Sequence, residues 1–174
     1  MSLYDNGFMQ GTSETIFSLD SAMTRGMFVT VLGRMAEIAI DDYKTNTFKD
    51  VNETDYFSPY IAWAYKAGIV KGNATQNFYP NDPITKEQAV LMLARFAEKQ
   101  GKEFSAGSAY SGDFEDVIKY LSDFHDTSEE FQQKYQSLFH IVQPSMTRFG
   151  YSDALTRREA ADILASTYRV LYEE

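Results

Sequence analysis

Gly68-Ile69-Val70-Lys71-Gly72, Phe78 and Ile84-Thr85-Lys86 repeat an earlier pattern in the same chain: Gly7-Phe8-Met9-Gln10-Gly11, Phe17 and Met23-Thr24-Arg25. Every pair stands 61 positions apart without a gap, a register that chance rarely keeps over so many residues. A looser third copy ends in Phe149 and Leu155-Thr156-Arg157, each 71 positions beyond its counterpart in the second. Its front, Phe114-Glu115-Asp116-Val117, repeats Phe48-Lys49-Asp50-Val51. The reading is a single domain over 4–174 made of three units: 4–45, 46–104 and a divergent 112–174. Shifting Phe48 back by the same interval places it ahead of Met1, so the first unit is expected to be truncated.

Each Thr precedes an apolar stripe of helical period: Phe28, Val31, Leu32, Met35; then Ala89, Met92, Leu93, Phe96; then Ala160, Ile163, Leu164. Thr24, Thr85 and Thr156 are the natural N-caps, because a Thr hydroxyl accepts from an otherwise unpaired first-turn N–H. Gln88 and Glu159 complete capping boxes, and Met23, Ile84 and Leu155 stand where a hydrophobic staple would. A shorter helix is expected ahead of each loop. In the second unit it has Ser58 as cap, Pro59 at its first position, and Gly68 as its stop. In the third, Thr127-Ser128-Glu129-Glu130 opens a helix carrying Phe131, Tyr135, Leu138 and Phe139. The expected fold is all-α: helix-loop-helix repeats around a pseudo-threefold central helix bundle.

Composition sets limits. With 44% hydrophobic and 15% aromatic residues, the 174-residue chain has enough apolar side chain for a packed core. No apolar run nears the roughly 18 residues of a membrane span, so no membrane insertion is expected, and any export signal is expected to lie upstream. A formal charge of −9 argues against nucleic acid as partner. Cysteine is absent, which excludes disulfides and thiol chemistry. His125 and His140 form no metal motif, no EF-hand spacing occurs, and no nucleophile setting is recognisable. The reading is no enzyme, no cofactor and no metal.

Phe48-Lys49-Asp50-Val51, Tyr56-Phe57-Ser58-Pro59-Tyr60-Ile61, Gly68-Ile69-Val70-Lys71-Gly72, Phe78-Tyr79-Pro80 and Ile84-Thr85-Lys86-Glu87-Gln88-Ala89 together resemble the S-layer homology repeat. The resemblance implies a trio of repeats that non-covalently anchors an exported bacterial protein to the cell wall, an extracellular, S-layer-associated setting. It also implies an anionic, pyruvylated secondary cell-wall polysaccharide as partner, held in grooves between units by the basic residue after the capping Thr: Arg25, Lys86 and Arg157. The first unit departs from the family pattern, with Gly26-Met27 in place of Ala-Glu, and so does the second, with Lys86 in place of Arg. The number of working grooves therefore stays open.

A physical argument runs beside the resemblance. A cation at the first turn of a helix faces the positive end of the helix dipole, at a cost of roughly 0.3–1 kcal/mol. A bound carboxylate would offset that cost, and so would a salt bridge to a neighbouring unit's acid, Asp50 or Asp116. Among the aromatics Tyr56 is the best sugar-facing candidate, while Phe57 and Trp63 read as core. Gly68 and Gly72 read as backbone devices, with close approach of a sugar to Gly72 as the functional alternative. The rival reading of the whole is a protein-interaction module, a homo-oligomer formed through the truncated first unit.

Overall fold

The structure, a computed structural model, describes residues 3, 6–11, 17–71, 75–101 and 153–173. Gly72, Asp116, His125, His140, Phe149 and the helix expected around residues 127–139 lie outside the described residues. Among those described, the chain is all-α, with four α-helices and no strand. They are α1 (Arg25–Met35), α2 (Ser58–Lys66), α3 (Lys86–Lys99) and α4 (Arg157–Tyr172), with a single 3-10 turn at Ile40–Asp42.

Three of the four helices start as their caps dictate. The Oγ1 of Thr24 accepts from Met27 N at 3.2 Å. Thr85 accepts from Gln88 N at 3.2 Å, and Gln88 Oε1 accepts in return from Thr85 N at 3.3 Å. Thr156 accepts from Glu159 N at 3.2 Å while Glu159 Oε2 takes Thr156 N at 2.9 Å, so both capping boxes form.

The start of α2 differs from expectation. Its N-cap is Phe57, with no side-chain cap, and Ser58 is the first helical residue. Ser58 is buried, and the amide of Asn46 donates to its carbonyl at 3.0 Å and to its Oγ at 3.4 Å. Pro59 has no N–H to satisfy, so this first turn needs a cap less than most. Gly68 does stop the helix. At φ +76° it sits in the left-handed region, and Ile69 N folds back onto Ala64 O at 2.8 Å.

The three apolar stripes converge. Every stripe residue named above is buried in one core, joined by Phe57, Ile61 and Ala64. Each large side chain so buried contributes on the order of 1.5–3 kcal/mol. α1 packs against α2 and α4. Gly33 is what lets α2 come so near, since a Cβ there would overlap the Tyr60 ring. Trp63 meets Phe96 edge-on at 6.2 Å, tying α2 to α3.

A ring of backbone hydrogen bonds joins the three capped starts. Met23 N donates to Leu155 O (2.8 Å), Leu155 N to Ile84 O (3.0 Å), and Ile84 N to Met23 O (2.8 Å), closing a cycle among three residues each at most 1% exposed. Three antiparallel bridges follow the same order: Thr24 with Pro83, Thr85 with Ala154, Thr156 with Ala22. Two residues further on, Arg25 N reaches Asp82 O (3.0 Å), Lys86 N reaches Asp153 O (3.0 Å) and Arg157 N reaches Ser21 O (2.8 Å).

Candidate functional site

Those bonds change what a helix tip can do. The first N–H of α1, α3 and α4 is taken by a carbonyl of the next segment in the ring. The second is taken as well in α1, by Pro80 O at 2.8 Å, and in α4, by Leu19 O at 2.9 Å. The cap Thr takes the third. Donors so occupied are not free to hold a ligand anion, so at the starts of α1 and α4 an anion must be held by side chains.

Arg25 and Arg157 are held alike. Arg25 Nε donates to Phe78 O at 2.9 Å and Arg157 Nε to Phe17 O at 2.9 Å, acceptors 61 positions apart. The Arg25 guanidinium also stacks over the Phe78 ring, 4.7 Å from its centroid. Burial pushes its pKa below the usual arginine value, with Asp82 and Asp50 working in the opposite direction. Asp50 itself is structural: its two carboxylate oxygens accept from Phe78 N (2.8 Å) and Tyr79 N (2.7 Å), fixing the loop whose carbonyl Arg25 grips.

Lys86 is only 2% exposed, and its Nζ lies 3.7 Å from Glu159 Oε1. The ion-pair alternative therefore describes Lys86, with Glu159 as an acid the sequence reading had not named.

Arg157 borders an open cleft of about 240 Å³, walled by the loop from Phe8 to Gly11, by α1, and by Tyr56. Nη2 of Arg157 donates to Gln10 O at 2.6 Å and Nη1 approaches Met27 Sδ at 3.4 Å. No carboxylate lies within ion-pair reach of it among the described residues. A second cation, Arg34, lines the same cleft; its Nη1 donates to Phe8 O at 3.1 Å and its guanidinium lies 5.9 Å from the Tyr60 centroid. Among the described residues no acid lines the cleft, and two positive charges border it. Tyr56, 55% exposed, forms the lip. Burial raises its phenol pKa, while Arg34 and Arg157 pull the other way, so at neutral pH it presents an O–H donor.

Of the expected site residues, Arg157 and Tyr56 thus meet at one cleft; Arg25 and Lys86 do not line it. Phe57 and Trp63 are core, as expected. Arg34 and Met27 were not anticipated as site residues. A signal for Arg34 did exist, because Arg95 stands 61 positions on and makes the matching bond, Nη1 to Ile69 O at 3.3 Å.

The sequence pattern of the S-layer homology domain matches residues 47–90. An endoglucanase of Bacillus sp. (strain KSM-635) is 38% identical over 105 residues, which is 59% of this chain and 11% of that protein. An amylopullulanase of Thermoanaerobacterium thermosulfurigenes is 33% identical over 107 residues, 60% of this chain and 6% of its own length. The S-layer protein EA1 of Bacillus anthracis is 29% identical over 91 residues, 52% of this chain and 10% of that protein. The chain thus spans about a tenth or less of the length of these relatives. Proteins as different as two polysaccharide-degrading enzymes and a surface-layer protein resemble it over a short shared stretch, and within this chain residues 47–90 belong to the S-layer homology domain family.

Proposed function

We propose that this chain is a non-catalytic anchoring module of an exported bacterial protein, holding it to the cell wall by binding an anionic, pyruvylated polysaccharide at the Arg157 cleft. The observation that carries the reading is the pairing of Arg157 and Arg34 around a cleft that no acid lines among the described residues. A guanidinium with unspent N–H donors offers a carboxylate charge-assisted hydrogen bonds that a neutral sugar does not receive. Tyr56 at the lip supplies a ring for the sugar face and a hydroxyl for its edge.

The architecture behind it is three repeat units over 4–45, 46–104 and 112–174, arranged with pseudo-threefold symmetry. The closed hydrogen-bond ring and the recurring Nε contacts of Arg25 and Arg157 support this arrangement. The shared stretch in relatives of otherwise different kinds supports a portable binding module rather than a catalytic one.

Pelleting with purified bacterial cell walls tests the reading. Mild acid removal of pyruvyl groups should abolish co-sedimentation, and Arg157→Ala, checked for helicity by circular dichroism, should lower it at least tenfold. Full binding to stripped walls would overturn the carboxylate reading.

A further inference from the structure

The wall of the Arg157 cleft is a short loop that closes on itself. Phe8 N and Met9 N both donate to Leu3 O, at 3.0 and 3.1 Å, and Gly7 makes the turn at φ +71°. The second unit closes in the same way: Ile69 N and Val70 N meet Ala64 O at 2.8 and 3.2 Å, with Gly68 at φ +76°. Ahead of the turn Leu3 is buried. Beyond it Met9 is buried, the Phe8 ring packs on Tyr168 at 5.1 Å, and the carbonyls of Phe8 and Gln10 receive Arg34 and Arg157. Both ends of the turn are therefore fixed, and both guanidiniums of the cleft are held by it.

The residue ahead of the glycine differs between the two units. It is Ala67 in the second and Asn6 in the first, and Asn6 is the only asparagine of the sequence followed by glycine. Asn6 and Gly7 are both exposed, and a Cβ built on Gly7 would meet nothing within 4 Å. An asparagine amide carbon can close a five-membered ring with the next backbone nitrogen, and glycine, having no side chain, hinders that approach least. Local opening of an exposed turn brings the two atoms together.

We infer that Asn6-Gly7 is a site of spontaneous modification whose isoaspartyl product unseats the cleft wall. Gly7 N loses its proton to base and bonds to Asn6 Cγ; the Cγ–Nδ2 bond breaks, and the nitrogen takes up a proton and leaves as ammonia. Water then opens the succinimide, and the Gly7 nitrogen regains a proton. Where the bond to the Asn6 backbone carbonyl carbon breaks, the main chain now runs through the side chain and a free carboxylate remains. Nothing is oxidised or reduced. The added carbon lengthens the chain between Leu3 and Phe8 by about 1.5 Å, so Phe8 N and Met9 N cannot both stay on Leu3 O. The carbonyls that hold Arg34 and Arg157 move with them. The effect on wall binding rests on the anchoring reading; the chemistry and the opening of the loop do not.

The test ages the chain in mildly alkaline buffer beside Asn6→Ala, which borrows the residue of the second unit. Peptide mapping should find the amide-to-acid mass gain at Asn6 in the parent, and an isoaspartyl methyltransferase should label it. Co-sedimentation with bacterial cell walls should be lost in proportion to the isoaspartyl fraction, while aged Asn6→Ala keeps its binding. Fresh Asn6→Asp carries the charge without the lengthening and should pellet as the parent does. An unchanged mass at Asn6, or full binding by the isoaspartyl form, would overturn the inference and leave the anchoring reading standing. So would an equal loss in aged Asn6→Ala or in fresh Asn6→Asp. If the fresh parent does not pellet, the anchoring reading fails, and hydrogen exchange decides the inference alone. The amides of Phe8 and Met9 should then exchange faster in the isoaspartyl form, and unaltered exchange there would refute the opening of the loop.

Discussion

A basic residue directly after a helix cap looks misplaced, and Arg25, Lys86 and Arg157 show three ways of accommodating one. Arg25 spends its Nε on Phe78 O and lays its plane on the Phe78 ring; Lys86 pairs with Glu159; Arg157 meets two backbone carbonyls and a sulfur and keeps an unneutralised face towards a cleft. The sequence marked all three positions but not these outcomes. The carbonyl acceptors lie 53 residues away for Arg25 and 140 for Arg157, and no local pattern encodes contacts of that range. Tyr172 carries a separate expectation. Burial first, then Tyr168 and Glu37, raises its pKa to about 12. Since the folded state holds the phenolic proton more tightly than the unfolded chain, with its ordinary value of about 10, the group's stabilising contribution is complete below pH 10 and fades between about pH 10 and 12. Chemical denaturation of the parent and of Tyr172→Phe should converge in stability across that window, the parent falling more steeply. Parallel pH profiles would show that the phenol does not sense folding.

Helix starts were legible where the chemistry is local. Thr24, Thr85 and Thr156 with Gln88 and Glu159 carry their own hydrogen-bond partners within three residues, so reading the residues amounts to reading the bonds. The start of α2 was not legible in the same way, because Ser58 is claimed by Asn46 from twelve residues upstream. The approach of α1 to α2 through Gly33 also escaped the sequence reading, since a glycine inside a helical stripe does not announce what lies across from it. Its consequence is measurable. Gly33→Ala improves helix propensity by roughly 1 kcal/mol, but it drives a methyl into the Tyr60 ring, and overpacking of this kind costs typically 1–3 kcal/mol. The net expectation is a loss of about 1 kcal/mol in urea denaturation. Tyr60→Ala in the same background should recover the propensity gain, so Gly33→Ala should be favourable there and unfavourable in the parent. A stabilised single variant would mean that α2 can shift aside without cost.

At the scale of the molecule, the three capped helices do not merely share a core; they share a backbone circuit. Met23, Ile84 and Leu155 each give an N–H to one neighbour and take one from the other, at positions no more than 1% exposed. Opening any one link strands a buried donor and a buried acceptor, each costing about 1–3 kcal/mol if left without a partner. Local unfolding of one helix is therefore penalised on both sides of the ring, which makes the three starts a single cooperative unit rather than stacked independent repeats. Leu155→Ala tests this, because it removes a fully buried side chain at a cost of about 2–5 kcal/mol while leaving its backbone N–H and C=O in place. If the ring couples the helices, native-state hydrogen exchange should accelerate by similar factors at the slowest amides of α1, α3 and α4. Acceleration confined to α4 would show that the units open one at a time, and the ring would then be a geometric coincidence of packing rather than a source of cooperativity.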